Sequence, residues 1–123
     1  MNPRNKNEAL EDRIIDLTLE VNFLLEKLPR TNLGVNLRNQ MTRSSLSPSL
    51  NYGEVQAAES TKDFIHKMGI VLKELRETFS GLKIILKGNL IPKEFEKVEC
   101  LKQETNELIS IFVTSIKTAK KRL

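Results

Sequence analysis

The amino-acid sequence predicts an all-α protein that folds as an antiparallel up-down-up-down four-helix bundle. The composition favours helices, because only 5 Gly and 4 Pro occur among 123 residues and the helix-forming Leu, Lys and Glu are abundant. Apolar residues recur at steps of three and four, as they do on one face of an α-helix. The predicted connections are only about three to five residues long, so consecutive helices run antiparallel.

Four helices are expected in one domain spanning residues 1–123, at about 7–28, 32–58, 61–87 and 93–121. The apolar stripe of the first helix comprises Ile14, Leu17, Val21, Leu24 and Leu28. The stripe of the third comprises Phe64, Met68, Val71, Leu75, Phe79, Leu82 and Leu86. The stripe of the fourth comprises Val98, Leu101, Leu108, Phe112 and Ile116.

The expected helix ends follow from local chemistry. Pro29 stops the first helix, because the residue before a proline is driven out of the α region. Ser60, with Asp63 three residues later, resembles a capping box and predicts the start of the third helix. Gly88 and Asn89 close that helix. Pro92 stands near the start of the fourth, where proline is tolerated.

The second helix carries two neighbouring stripes instead of one. The first stripe is mostly apolar and consists of Leu33, Leu37, Met41, Pro48 and Val55. The second is small or polar and consists of Gln40, Ser44, Ser47, Asn51, Glu54 and Ala58. Small polar side chains let another helix approach closely but then need hydrogen-bond partners, and Asp63, Lys67 and Glu74 of the third helix are the expected ones. Pro48 predicts a kink or a break near residues 44–48.

A second apolar stripe on the first helix predicts self-association. Ile15, Leu19 and Phe23 lie roughly 170° from the core stripe at 100° per residue. Leu46 and Leu50 likewise point away from the core side of the second helix. A helix that is apolar on two sides is usually buried on both, so we expect a homo-oligomer interface here. Scattered exposed apolar residues are the alternative interpretation.

Catalytic, metal-binding and membrane functions find little support in the sequence. Cys100 is the only cysteine and His66 the only histidine, so a cysteine cluster is impossible and a zinc site is not expected. No Gly-rich phosphate loop occurs. No apolar run approaches the roughly 20 residues of a membrane-spanning helix, and the N-terminal sequence lacks a signal peptide. We therefore expect a cytoplasmic protein that is not an enzyme and needs no cofactor.

The charge distribution favours a nucleic-acid partner. The net charge is +4, and two stretches of the chain carry no acidic residue. These stretches run from Pro29 to Gly53 and from Leu108 to the end. Their basic residues are the predicted phosphate-binding set, namely Arg30, Arg38, Arg43, Lys117, Lys120, Lys121 and Arg122. Ordinary solvated helix faces and a solvated tail remain the alternative.

The stretch from residue 40 to residue 86 resembles the signature of the bacterial four-helix-bundle family that is encoded in 23S rRNA intervening sequences. The family pattern runs Gln-x-x-Arg-Ser, then Ser, then Asn-Tyr-x-Glu, then Ala-x-Ser-x-x-Asp-Phe-x-x-Lys, then Lys-Glu-x-x-Glu. The matching positions are Gln40, Arg43, Ser44, Ser47, Asn51, Tyr52, Glu54, Ala58, Ser60, Asp63, Phe64, Lys67, Lys73, Glu74 and Glu77.

The resemblance implies a left-handed antiparallel bundle, often assembled as a ring-like homopentamer, with no established catalytic activity. A distant similarity links the family to the accessory protein of diversity-generating retroelements, which binds nucleic acid and a reverse transcriptase. The partners to be considered are therefore a second copy of the chain, RNA or DNA, and a reverse transcriptase or another protein. Two functions compete, an RNA-associated oligomeric accessory protein and a protein–protein scaffold without a nucleic-acid role.

Overall fold

The structure, a computed structural model, describes the chain from residue 6 to residue 123 and its side chains from residue 9. Four α-helices make up this part of the chain. They are α1 (Lys6–Leu25), α2 (Asn32–Gln56), α3 (Thr61–Lys87) and α4 (Phe95–Lys120), and a single 3-10 turn at Pro92–Glu94 precedes α4. Each helix packs against two others, in the order α1, α2, α3, α4 and back to α1. The predicted all-α four-helix bundle is confirmed.

The core is formed by the predicted stripes, with local shifts. All five stripe residues of α1 are buried, and Val71, Leu75, Leu82, Leu108 and Phe112 are completely enclosed. In the second half of α3 the buried positions include Thr78 and Ile85 beside the predicted Leu82, while the predicted Phe79 and Leu86 are only half-buried. The 3.6-residue helical period explains this shift, because a stripe at strict 3-4 spacing drifts around a straight helix. Leu33, predicted in the core, is 49% exposed, because it lies at the first turn of α2.

The helix ends differ from the expected bounds by a few residues. α1 ends at Leu25 instead of residue 28, and the amides of Lys27 and Leu28 then bond to carbonyls three residues back, as a tightened last turn does. α2 ends at Gln56, two residues early. The Asp63 amide bonds to the Ser60 hydroxyl at 3.0 Å, so the predicted N-cap is confirmed. Asn89, with φ at 50°, takes the left-handed conformation after α3.

Pro48 lies inside α2, and α2 continues through it. The predicted break is therefore wrong, while the alternative, a kink, stays a prediction. The neighbouring turn is supported from α1, since the Thr18 hydroxyl lies 2.6 Å from the Ser45 carbonyl and 2.6 Å from the Ser49 hydroxyl. A hydroxyl donates one hydrogen, so Thr18 can donate to the carbonyl and accept from Ser49. The proline ring itself is buried in the core, which holds this segment of α2 against its neighbours.

The hydroxyl of Thr18 is expected to stabilise the bundle beyond its own helix. Thr18→Val keeps the shape of the side chain but leaves the Ser45 and Ser49 groups without this partner, which should cost about 1–2 kcal/mol of unfolding free energy in urea titration. Thr105→Val is the matched control, because the buried Thr105 hydroxyl bonds only to the Leu101 carbonyl of its own helix. Equal losses in the two variants would contradict a tertiary role for Thr18.

Candidate nucleic-acid interface

A line of cations runs along the solvent face of α3. Its members are 11, 3, 7 and 4 residues apart, spacings that keep residues on one side of an α-helix, and all of them are exposed. This basic stripe consists of Lys62, Lys73, Arg76, Lys83 and Lys87. It extends about 37 Å at 1.5 Å per residue. None of the five forms an ion pair with any residue between 9 and 123, although the Lys83 ammonium lies 5.1 Å from the centre of the Phe79 ring.

The acidic residues of α3 lie on a different side, toward α2. Lys67 contacts Asp63 at 3.0 Å and Glu54 of α2 at 3.9 Å. The hydrogen bond from Lys67 holds the pKa of Asp63 below its usual value, and the amide of Glu59 adds to that effect. Burial raises the pKa of Glu74, as does its neighbour Glu77. The charges of Lys73 and Arg43 oppose this rise, so Glu74 lies within electrostatic reach of the stripe, although no carboxylate between residues 9 and 123 forms an ion pair with a stripe residue.

The predicted phosphate-binding residues are divided between the two ends of the bundle. Arg30 is exposed in the connection between α1 and α2. The four C-terminal residues of the set, Lys117, Lys120, Lys121 and Arg122, are exposed at the far end of α4. Since α1 and α4 run antiparallel, these two groups lie at opposite ends of helices that are each more than ~30 Å long, and they do not form one patch.

Arg38 and Arg43 have partners of their own. The Arg38 guanidinium donates to the carbonyl oxygens of Leu25 and Leu28, at 3.3 and 3.4 Å. It therefore caps the C-terminus of α1, where cations are favourable. Arg43 donates to Gln40 Oε1 at 2.9 Å but remains exposed. Of the two, only Arg43 is placed to meet a partner molecule.

The polar stripe of α2 reaches α3 at fewer points than predicted. Ser44 is buried and bonds to the Thr78 hydroxyl of α3 at 2.9 Å, instead of to one of the expected charged residues. Glu54 approaches Lys67 at 3.9 Å. The amide of Asn51 donates to the Ser47 hydroxyl at 2.8 Å, so this pair is satisfied within α2. A short side chain on a helix has its own backbone and its i±4 neighbours in reach, which explains why the expected cross-helix bonds do not all form.

Sequence reasoning missed a hydroxyl cluster on the opposite side of α2. The amide of Asn22 donates to the Ser45 hydroxyl at 3.0 Å, next to the contacts of Thr18 with Ser45 and Ser49. The signal was present, since Thr18 lies four residues after Ile14 and three before Val21, beside the core stripe. The basic stripe was missed for another reason. Along the chain its cations alternate with Asp63, Glu74 and Glu77, and they separate only when plotted around the helix.

The other faces of the bundle carry paired charges or apolar side chains. Arg13 pairs with Glu104 and Glu107, Lys97 with Glu20, and Lys27 with Glu94, and these contacts all join α1 or its end to α4 or its start. The contacts of Thr18 and Asn22 hold α1 beside α2. An apolar face lies on the solvent side of these two helices. This apolar face consists of Ile15, Leu19, Phe23, Leu46 and Leu50, of which Phe23 and Leu50 are 69% and 70% exposed.

Comparison with protein-family models gives a match over residues 7–114 to the family described as 23S rRNA-intervening sequence protein. The chain belongs to this family. The match includes the greater part of all four helices, so it extends well beyond the stretch from residue 40 to residue 86 that carries the sequence resemblance. No curated protein matches the chain.

A solved structure shares the fold of this member of the 23S rRNA-intervening sequence family. It is the crystal structure of a protein with unknown function from the S23 ribosomal protein family of Bacteroides thetaiotaomicron VPI-5482. The two chains are 25% identical, with a TM-score of 0.75 over 91% of this chain and 98% of the other. In the present chain, no helix among residues 6–123 is long and apolar enough to cross a membrane. The same residues contain no group of three or more His, Cys, Asp and Glu placed to hold a metal ion.

The raised pKa of Glu74 gives a pH-dependent stability with a defined sign. A carboxyl whose pKa is higher in the folded than in the unfolded state stabilises the fold below that pKa, and the contribution is lost as pH rises through it. Glu74→Gln should therefore be more stable than the parent at pH 7, and the difference should shrink as the pH falls through the folded pKa. Urea unfolding at several pH values measures it, and a difference that grows toward acid pH would contradict the assignment. Glu96→Gln, on the exposed first turn of α4, is the control.

Proposed function

We propose that this protein is a non-enzymatic, oligomeric accessory protein of the cytoplasm that binds RNA through the basic stripe of α3. The observation that carries the proposal is the absence of ion pairs along that stripe within residues 9–123, while Arg13, Lys27 and Lys97 between α1 and α4 are paired. Unpaired cations on a rigid helix can replace the counterions that surround phosphates, which is the main source of sequence-independent affinity.

The chemistry of the stripe favours phosphate contact over base reading. Lysine is a point charge on a flexible stem, which suits phosphate but specifies little about sequence. Two aromatic rings of α3 lie near the stripe. Phe79 is half-buried and covered by the Lys83 ammonium, and His66, one turn after Lys62, offers a single exposed imidazole. Stacking of several bases on exposed aromatic rings, the usual basis of single-strand recognition, is therefore not available along this line. Arg30, Arg43 and the cations at the end of α4 extend the basic surface toward both ends of the bundle.

Neutralising the stripe should reduce RNA affinity and its dependence on salt. Each phosphate contact contributes roughly 0.7 to 0.9 to the slope of log affinity against log salt, so Lys73→Gln with Lys83→Gln should lower the slope by about 1.5. Fluorescence anisotropy with a labelled RNA at several salt concentrations measures both quantities.

The control for that experiment is Lys27→Gln with Lys97→Gln. It changes the net charge equally, but Lys27 and Lys97 are paired with Glu94 and Glu20 on another face. Equal effects of the two double variants would show that net charge alone governs binding and would contradict a site on α3. No binding of the parent protein near 50 mM salt would overturn the RNA role.

Self-association through the apolar face is the second part of the proposal. Five large apolar side chains are exposed side by side on α1 and α2, where a monomer gains nothing from them. The family resemblance favours a pentamer. An assembly would repeat the basic stripe and so raise the affinity for a long RNA by avidity. The same face is the observation that favours the alternative function, a protein scaffold whose partner is a reverse transcriptase or another protein.

Replacing the most exposed part of this face should dissociate the assembly. Phe23→Glu places a charge in the middle of the apolar face, and light scattering should show the mass falling toward the 14.1 kDa of one chain. Phe95→Glu is the control, because Phe95 is also exposed, at 49%, but lies on α4 away from the face. A parent protein that is monomeric at micromolar concentration would contradict self-association and leave the face to a different protein.

A further inference from the structure

We propose that the groove between α2 and α3 receives the base of an unpaired nucleotide while its phosphates lie on the basic stripe. This inference rests on the proposed RNA function and adds to it the kind of RNA that is preferred. The groove runs beside the stripe and has a volume of about 660 Å³, within the range of pockets that enclose small molecules. Lys73 and Arg76 belong both to the stripe and to the wall of this groove.

The floor of the groove is apolar and flat. Leu37 and Met41 of α2 are buried there, and Gly81 of α3 lies directly against Met41. A Cβ atom at Gly81 would lie 2.4 Å from Met41 Sδ, so the absence of a side chain is what allows the two helices to approach. Gly69 also lines the groove, and a Cβ atom there would meet nothing within 4 Å, so a side chain can be added at this position without a clash. The surface that remains suits a flat, weakly polar ring.

The wall offers hydrogen-bonding groups suited to the edge of a base. Gln40 accepts from Arg43 through Oε1, which leaves its amide nitrogen to donate. Glu77 offers a carboxylate, an acceptor for the amino groups of bases, and Ser80 offers a hydroxyl. The Arg76 guanidinium can stack on the face of a base, as arginine does in RNA complexes.

Charge decides how a nucleotide would enter. The carboxylate of Glu77 lies in the groove and repels a phosphate, whereas Lys73, Arg76 and Lys83 attract one on the outer side. The phosphates are therefore held along α3 and the base points inward. A continuous duplex cannot do this, because its bases are paired and stacked inside the helix. Loops, bulges and single strands are consequently the preferred ligands.

The decisive probes are two labelled RNA single strands with the same number of phosphates. One is an intact oligonucleotide of about 12 residues, and the other has its three central nucleotides replaced by abasic ribose. We expect the parent protein to bind the intact strand about five-fold more tightly, near the lower end of what one stacked base contributes. Gly69→Gln, which fills the groove, should bring this ratio to about one without changing the affinity for the abasic strand.

Gly53→Gln is the matched control for the groove variant. Gly53 is also a glycine inside a helix with nothing within 4 Å of a Cβ atom, but it lies on an exposed part of α2 outside the groove. Its variant gains the same helix propensity and should keep the five-fold ratio.

The outcomes separate this inference from the proposed function. If neither strand binds, the RNA function itself fails. If the parent binds both strands equally, the RNA function stands and the base-binding groove is wrong. A ratio that persists in Gly69→Gln also overturns the groove, since the base must then bind elsewhere. A ratio that appears only in Phe23→Glu would show that a second copy covers the groove in the assembly, and would overturn the inference for the native protein.

Discussion

The bundle depends on hydroxyl groups that join α2 to both of its neighbours at one level. Ser44 and Ser45 are consecutive and both buried, and they face Thr78 of α3 and Thr18 of α1 respectively. Each of these hydroxyls also reaches a carbonyl of its own helix, so the contacts between helices add to bonds that each helix can form alone and favour the height at which the three helices meet. Between residues 9 and 123, no buried side-chain nitrogen or oxygen lacks a hydrogen-bond partner. The apolar stripes supply most of the burial, whereas the hydroxyl contacts between helices favour one axial alignment.

The distribution of charge follows from which faces are left free by this packing. Five of the six Lys and Arg of α3 lie on its side facing solvent, whereas Asp63 and Glu74 are partly buried toward α2. The exposed surface of α3 therefore carries an excess of positive charge. α1 has the reverse balance, and its Glu20 pairs with Lys97 of α4. The molecule therefore offers two chemically distinct surfaces, one suited to phosphate and one suited to protein.

The sequence was sufficient for the fold but only partly for the interface. Helical periodicity predicted the five buried stripe residues of α1, because aliphatic residues at 3-4 spacing stay on one side of a helix and this stripe is longer than the one with Ile15, Leu19 and Phe23. It was wrong about a break at Pro48, because tertiary contacts from Thr18 and burial of the ring hold that turn in place. It also predicted that Arg38 binds phosphate, whereas the Arg38 guanidinium donates to carbonyl oxygens at the end of α1. Such a contact joins residues of different helices, and no periodicity within one helix reveals it.

The different chemistry of the two edges of α1 has a consequence for how the molecule responds to ionic strength. Its edge with α4 is bordered by ion pairs of partly exposed side chains, such as Lys97 with Glu20, and mobile ions screen such pairs. Its edge with α2 is joined by uncharged hydroxyl and amide groups, which salt hardly affects. Rising salt therefore loosens one long side of the bundle selectively. The amide hydrogens of α1 and of the neighbouring part of α4 should then exchange faster, while the exchange rates in α2 and α3 stay unchanged.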